Sequence, residues 1–270
     1  MSNKINFVRN TVQKLKRAVS KTLDREFLAS VYLKGKGIEI GALCSPLKVP
    51  SRAKVSYVDR MKVQDLRRQY PEMSSYSMVD VDILDNGETL GTIGDNTQDF
   101  VIANHFLEHC ENPIKTIINL VRVLRYGGIL YCCLPDKRYT FDNKREVTSF
   151  EHLLRDYTEG PPVSKVEHVH DWVVNAEKLT QEGEIQKRIN EILSINYSIH
   201  FHVWTQNEML DFLTQLREQF SLPIEIQLFM KHEAEVIFII KKQHPESSVD
   251  IDKEKHSRLD TTFEQACQKD

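Results

Sequence analysis

Lys36-Gly37-Ile38-Glu39-Ile40-Gly41-Ala42, followed by Val55-Ser56-Tyr57-Val58-Asp59-Arg60, reads as a strand entering a glycine turn and then a second strand ending in a carboxylate. Gly41 and Asp59 are 18 residues apart, close to the roughly 20 that separate a nucleotide-binding glycine turn from its ribose-binding acid. In an open parallel sheet neighbouring strands end on one edge, so turn and acid flank a single crevice. A residue without a Cβ lets backbone approach a ligand, and a carboxylate accepts both hydroxyls of a ribose. Ala42-Leu43-Cys44 follows Gly41, so the G-x-G-x-x-G fingerprint is absent. That argues against a pyrophosphate cradle and for a nucleoside without phosphates.

Four segments extend the pattern. Val79-Asp80-Val81-Asp82-Ile83 reads as a third strand ending in an acid. Asp99 to His109 reads as a fourth strand entering a helix, and Pro113 to Leu124 is helical by the spacing of Ile114, Ile117, Ile118, Val121 and Leu124. Arg125-Tyr126-Gly127-Gly128-Ile129-Leu130-Tyr131 turns into a fifth strand. Together these motifs resemble the class I S-adenosylmethionine-dependent methyltransferases, specifically the broad bacterial, type 11-like group with a strand–LEH–helix–GG–strand signature. The resemblance spans residues 31–142 and a closing hairpin near 223–242. It implies an α/β fold: a Rossmann-like doubly wound sheet, mostly parallel with an antiparallel C-terminal strand, and helices on both faces. It also implies S-adenosyl-L-methionine as cofactor.

The resemblance carries roles onto particular residues. Glu39 would serve the methionine amino group and Gly41 the close turn. Asp59 would hold the ribose. Asp82, with Ile83 beside it, would hold and cover the adenine, with Asp80 as a competitor. Asn104 and His105 would sit over the crevice, toward the methionine part or the acceptor. The family's E-x-G-x-G-x-G turn keeps only its first acid and first glycine, because Leu43 and Ser45 occupy the later glycine positions.

A chain of 270 residues can bury one sizeable core with a small insertion. It shows no apolar run near the roughly 20 residues that span a bilayer and no secretory leader. Five cysteines without a C-x-x-C pair fit a reduced, cytoplasmic compartment. Residues 1–23 hold six Lys or Arg and no acid, leaving 30 basic and 39 acidic residues elsewhere. An acidic body argues against nucleic acid as a partner.

Ile5, Val8, Val12, Leu15, Val19, Leu23 and Phe27 recur at helical spacing, so residues 1–30 read as one basic amphipathic helix. It would pack on the sheet, touch an anionic membrane peripherally through residues 1–23, or dock a partner. Residues 31–242 read as the methyltransferase domain, with an insertion over 136–205. A helix over Gln206–Phe220 and strands over Pro223–Phe229 and Ala234–Ile240 follow. Residues 243–270, with seven acids, four bases and few large apolar side chains, read as a disordered tail.

Transfer from a sulfonium needs alignment and exclusion of water, plus a base when the acceptor is a hydroxyl. Asp136, directly after the fifth strand, and His105 are the catalytic candidates. Glu151, His152, His168, His170, His200 and His202 are further candidates in the insertion. For Asp136 the competing reading is a local pair with Arg138 that shapes the loop. His168-x-His170 and His200-x-His202 stand as metal ligands, substrate contacts or packed residues, and no metal is assigned. The expected reaction is O-methylation of a sugar, glycan or other small polar metabolite. The competing reading is a cofactor-binding protein of the same fold without transfer activity.

Overall fold

The computed structural model describes residues 23–73 and 75–244. Helix α1 (Arg25–Tyr32) precedes strands β1 (Gly35–Ile40) and β2 (Ala53–Asp59). Helix α2 (Val63–Gln69), β3 (Ile83–Leu84), β4 (Gln98–Asn104), α3 (Pro113–Val123) and β5 (Leu124–Pro135) follow. The insertion carries α4 (Phe150–Glu159), α5 (Lys165–Asp171) and α6 (Glu182–Ser194). Helix α7 (Gln206–Gln219) then leads to β6 (Ile224–His232) and β7 (Glu235–Lys242).

The seven strands run in the order β3-β2-β1-β4-β5-β7-β6. The pairs β3–β2, β2–β1, β1–β4 and β4–β5 are parallel, and β7 is antiparallel to both β5 and β6. This is the expected doubly wound sheet, with its order reversing beside β1 so that a crevice opens there. Alternate residues along each strand separate two cores. Ile38, Ile40, Val101, Ala103, Leu130 and Cys132 face α3 and α7. Phe100, Ile102, Tyr131 and Cys133 face Leu28, Ala29 and Leu33 at α1. Both faces therefore carry helices, and each fully buried Leu, Ile or Phe contributes about 1.5–3 kcal/mol.

Local chemistry explains the boundaries. Asn112 Oδ1 accepts the Lys115 N–H at 3.0 Å, and Pro113 opens α3 where its missing donor costs nothing. At the Gly-Gly bend before the main run of β5, a Cβ on Gly128 would lie 2.8 Å from the Arg125 carbonyl oxygen, so only glycine lets the chain turn there.

Two expectations change, and the first crossover departs from the helical form usual between parallel strands. The helix expected over 1–30 does not run through residue 24: Asp24 is extended, and its side chain caps α1 by accepting the Phe27 N–H. Phe27 is exposed rather than inward. Residues 1–22 and 245–270, with the proposed membrane contact and tail, lie outside the described residues. The β1–β2 crossover holds no helix; Pro46 and Pro50 in this 41–52 stretch remove donors a helix would need. Lastly, the third strand is two residues long, because Asp82 Oδ2 takes the Tyr57 N–H at 2.8 Å in place of a backbone carbonyl.

Candidate active site

The carboxyl ends of β1, β2 and β4 meet at one edge. Gly41 N–H donates to the Val58 carbonyl at 3.0 Å, so the turn after β1 abuts the tip of β2. The register pairs Glu39 with Tyr57 on one side and with Ile102 on the other. Two steps further, Gly41, Asp59 and Asn104 come level, flanking one gap.

Gly41 has φ +63°, and nothing lies within 4 Å of where its Cβ would point. The turn is thus left-handed and open, which leaves room for a ligand against the backbone. Glu39 is buried, with Oε1 accepting the Leu47 N–H at 2.9 Å. Its other oxygen, Oε2, is buried with no partner. Burial pushes the Glu39 carboxyl up to about 7, against the pull of the Leu47 N–H and the Arg25 charge. Asn104 Oδ1 is also buried without a partner. Unpartnered buried acceptors are costly and uncommon, and two at one strand edge suit a ligand that brings an ammonium group and other donors.

Asp59 ends β2, where burial raises its carboxyl despite the backbone N–H groups of Met61 and Arg60. The Met61 N–H reaches Oδ1 at a long 3.3 Å. Just beyond it begins a cavity of about 320 Å³ lined by Met61, Asp65, Arg68, Gln69 and Ile195. In Asp59→Ala, cofactor binding should weaken by about 1–3 kcal/mol, because ribose hydroxyls lose their acceptor. Isothermal titration with S-adenosylhomocysteine reads this directly, and wild-type affinity would remove Asp59 from the site.

Asp82 and Ile83 are not at the tip. Ile83 pairs with Val58 and Leu84 with Asp59, so Asp82 lies two residues short, held to Tyr57. Leu84, 47% exposed, and Asp85 occupy the tip instead. The Asp85 carboxylate is occupied by the N–H groups of Asn86, Gly91 and Thr92 and by the Thr92 hydroxyl. Leu84 is thus the apolar surface available to a flat ring.

Both catalytic candidates are held by partners, and Asp136 makes the pair with Arg138 that is its competing reading. His105 stands at the edge with φ +49°. Its Nε2 lies 2.6 Å from Glu235 Oε1 and its Nδ1 3.4 Å from Glu108 Oε1. Burial disfavours its charge, but bonding to Cys133, Glu108 and Glu235 outweighs this and holds the imidazolium up to about 12. Both ring nitrogens of His105 thus face carboxylates, which favours its charged form. Asp136 is fully buried. It accepts Arg138 Nε at 2.9 Å and Nη2 at 2.6 Å, and the N–H groups of Arg138 and Gln206 at 3.1 and 3.3 Å. Burial resists its charge, but these bonds hold the carboxyl below its usual range. It anchors the insertion and is not positioned to take a proton.

The insertion roofs this edge. Phe201 N–H donates to the Glu108 carbonyl at 2.8 Å, His109 Nδ1 donates to the Ile199 carbonyl at 2.9 Å, and Tyr70 packs on Tyr197 with ring centres 5.8 Å apart. Neither the roofing contacts nor the Glu235 partner of His105 carries a sequence signature, since both join residues about 90–130 positions apart.

Residues 37–132 match a family described as "Methyltransferase domain", the stretch that runs from β1 into β5. No curated protein matches the sequence. Among solved structures, a SAM-dependent methyltransferase from Aquifex aeolicus is 12% identical, with 80% of this chain and 86% of that one covered and a TM-score of 0.43. A possible histamine N-methyltransferase from Thermotoga maritima is 16% identical over 87% of this chain and 97% of that one, at 0.41. A putative Zn-dependent alcohol dehydrogenase from Rhodobacter sphaeroides is 13% identical over 81% and 88%, at 0.48. Likeness at this level says nothing about reaction or substrate. The family match runs through the strands that build the crevice, where two buried acceptors stand without a partner, so residues 37–132 of this chain are similar to a methyltransferase domain.

Proposed function

We propose that the enzyme methylates a hydroxyl of a sugar, glycan or other small polar metabolite. The bound cofactor supplies a methyl group on a sulfonium. Glu39, Gly41, Asp59 and Asn104 hold it, Leu84 covers its ring, and the insertion keeps water from the edge.

The observation that carries the acceptor class is the rim just past β5. Tyr139 and Phe141 are 53% and 50% exposed, Lys231 Nζ lies 3.7 Å from the Tyr139 ring centre, and the Arg138 side chain is 46% exposed. Exposed aromatic faces beside cations suit the C–H face and acidic substituents of a sugar. The imidazolium of His105 favours an acceptor oxygen that gains negative charge over an amine that becomes cationic.

Among the described residues no helix is long and apolar enough to cross a membrane. A cytoplasmic setting, with residues 1–23 at a membrane surface, belongs to this proposal and rests on sequence. The test is transfer of labelled methyl across fractionated extracts and glycan acceptors. Label in an alkali-stable ether supports the reading; label in an ester or on nitrogen defeats it. In Tyr139→Ala the acceptor KM should rise about tenfold, the effect of losing roughly 1.4 kcal/mol of contact, with cofactor affinity unchanged.

A further inference from the structure

Away from the strand tips, four side chains converge inside the insertion. His152 and Asp156 share a face of α4 at i, i+4 spacing, His168 comes from α5, and His202 from the segment leading to α7. Asp156 Oδ2 lies 3.2 Å from His152 Nε2, 3.6 Å from His168 Nε2 and 3.6 Å from His202 Nε2. His152 Nε2 and His168 Nε2 are 3.1 Å apart. All four ligand atoms fall within 4.8 Å of one another.

Hydrogen bonding among these groups leaves a deficit. His202 is fully buried, and neither of its ring nitrogens has a partner. Asp156 Oδ2 has no hydrogen-bond partner either: His152 Nε2 approaches to 3.2 Å without the alignment of a bond, and His168 and His202 stand at 3.6 Å. Its other oxygen is fixed by the Ser164 hydroxyl at 2.5 Å, which aims Oδ2 at the three imidazoles. A tetrahedral ion with bonds of about 2.0–2.2 Å needs donor atoms roughly 3.3–3.6 Å apart. Four of the donor separations here run from 3.1 to 3.6 Å, close to that spacing, and one ion would satisfy Asp156 Oδ2 and one of the two orphaned nitrogens of His202.

We propose that His152, Asp156, His168 and His202 bind a first-row divalent cation of the zinc class, which clamps α4, α5 and the 199–204 segment together. Nitrogen and oxygen donors without cysteine suit this class. Four protein ligands make a closed site, so the ion holds structure and does not activate water. A cleft of about 300 Å³, reaching His152 and His168 past Arg145, Thr148 and Ser149, gives a path of entry. The two H-x-H pairs do not act as pairs. His170 is exposed on α5, a helix in which i and i+2 diverge, and His200 Nδ1 is bonded to Asp142 Oδ2 at 2.7 Å.

The test is elemental analysis of protein purified without chelators or a histidine tag. We expect about one first-row divalent ion per chain, retained in His200→Ala and lost at least tenfold in His202→Ala and Asp156→Ala. Because those variants can fail to fold, chelator-treated wild type is titrated with cobalt(II), which should give saturable tetrahedral absorption at one equivalent and be displaced by zinc. Wild type with under roughly a tenth of an equivalent of metal and no saturable cobalt spectrum would overturn the site. So would loss of the metal in His200→Ala with retention in a folded His202→Ala.

Discussion

Glu39→Gln should cost about 3 kcal/mol of cofactor binding, more than a hundredfold in affinity, while making the ligand-free protein more stable above neutral pH. The two effects have one cause. Glu39 Oε2 is buried without a partner, so in the free protein ionising this carboxyl is unfavourable and burial raises it to about 7 from 4.5. For an acid raised in the folded state, the native protein holds the extra proton between those values. Stability therefore falls as pH climbs from about 4.5 to 7, by roughly 3 kcal/mol. Glutamine has no such penalty and keeps an acceptor for the Leu47 N–H. It also places an amide donor where the cofactor's ammonium needs an acceptor. Thermal unfolding at pH 5 and pH 8, with and without S-adenosylhomocysteine, separates these effects. A carboxylate with only a structural role would show lower melting in the variant at both pH values and an undiminished ligand shift.

The second large effect is on folding. In Asp136→Ala, the fully buried carboxylate that joins β5 to the start of α7 disappears. The N–H groups of Arg138 and Gln206 then lose their acceptor. The Arg138 side chain is 46% exposed and can turn to solvent, so the cost is that of the buried donors left unpaired, about 1–3 kcal/mol. Denaturant unfolding should show this loss, and transfer activity should fall with it because the insertion no longer seats on the sheet edge. Were Asp136 a base, stability would stay near wild type, and kcat would drop and lose its dependence on pH. That outcome would reverse the assignment made from its four hydrogen bonds.

Sequence carried the sheet well because its signals are local. Gly41, the acid at 59 and the apolar runs of β1, β4 and β5 each act within a few residues, and their order sets the parallel topology. Asp82 misled for a local reason as well: an acid after alternating Val and Asp looks like a strand tip, but its side chain replaces a backbone acceptor and ends the ladder early. His105 has a non-local partner, Glu235, which the fold brings from 130 positions away, whereas Asp136 is held mainly by its neighbour Arg138, the local pair that competes with the catalytic reading. The histidine cluster had one readable signal, the E-H-L-L-R-D spacing that puts His152 and Asp156 on one helical face, whereas the H-x-H doublets drew attention to the wrong grouping.

If the tips of β1 and β2 hold the cofactor between them, a crystal structure with S-adenosylhomocysteine will show the ligand's amino nitrogen on Glu39 Oε2, its ribose on Asp59 and its backbone contact at Gly41. Density for the ligand elsewhere in well-ordered crystals, or a gap beside Gly41 still empty at saturating ligand, would contradict it.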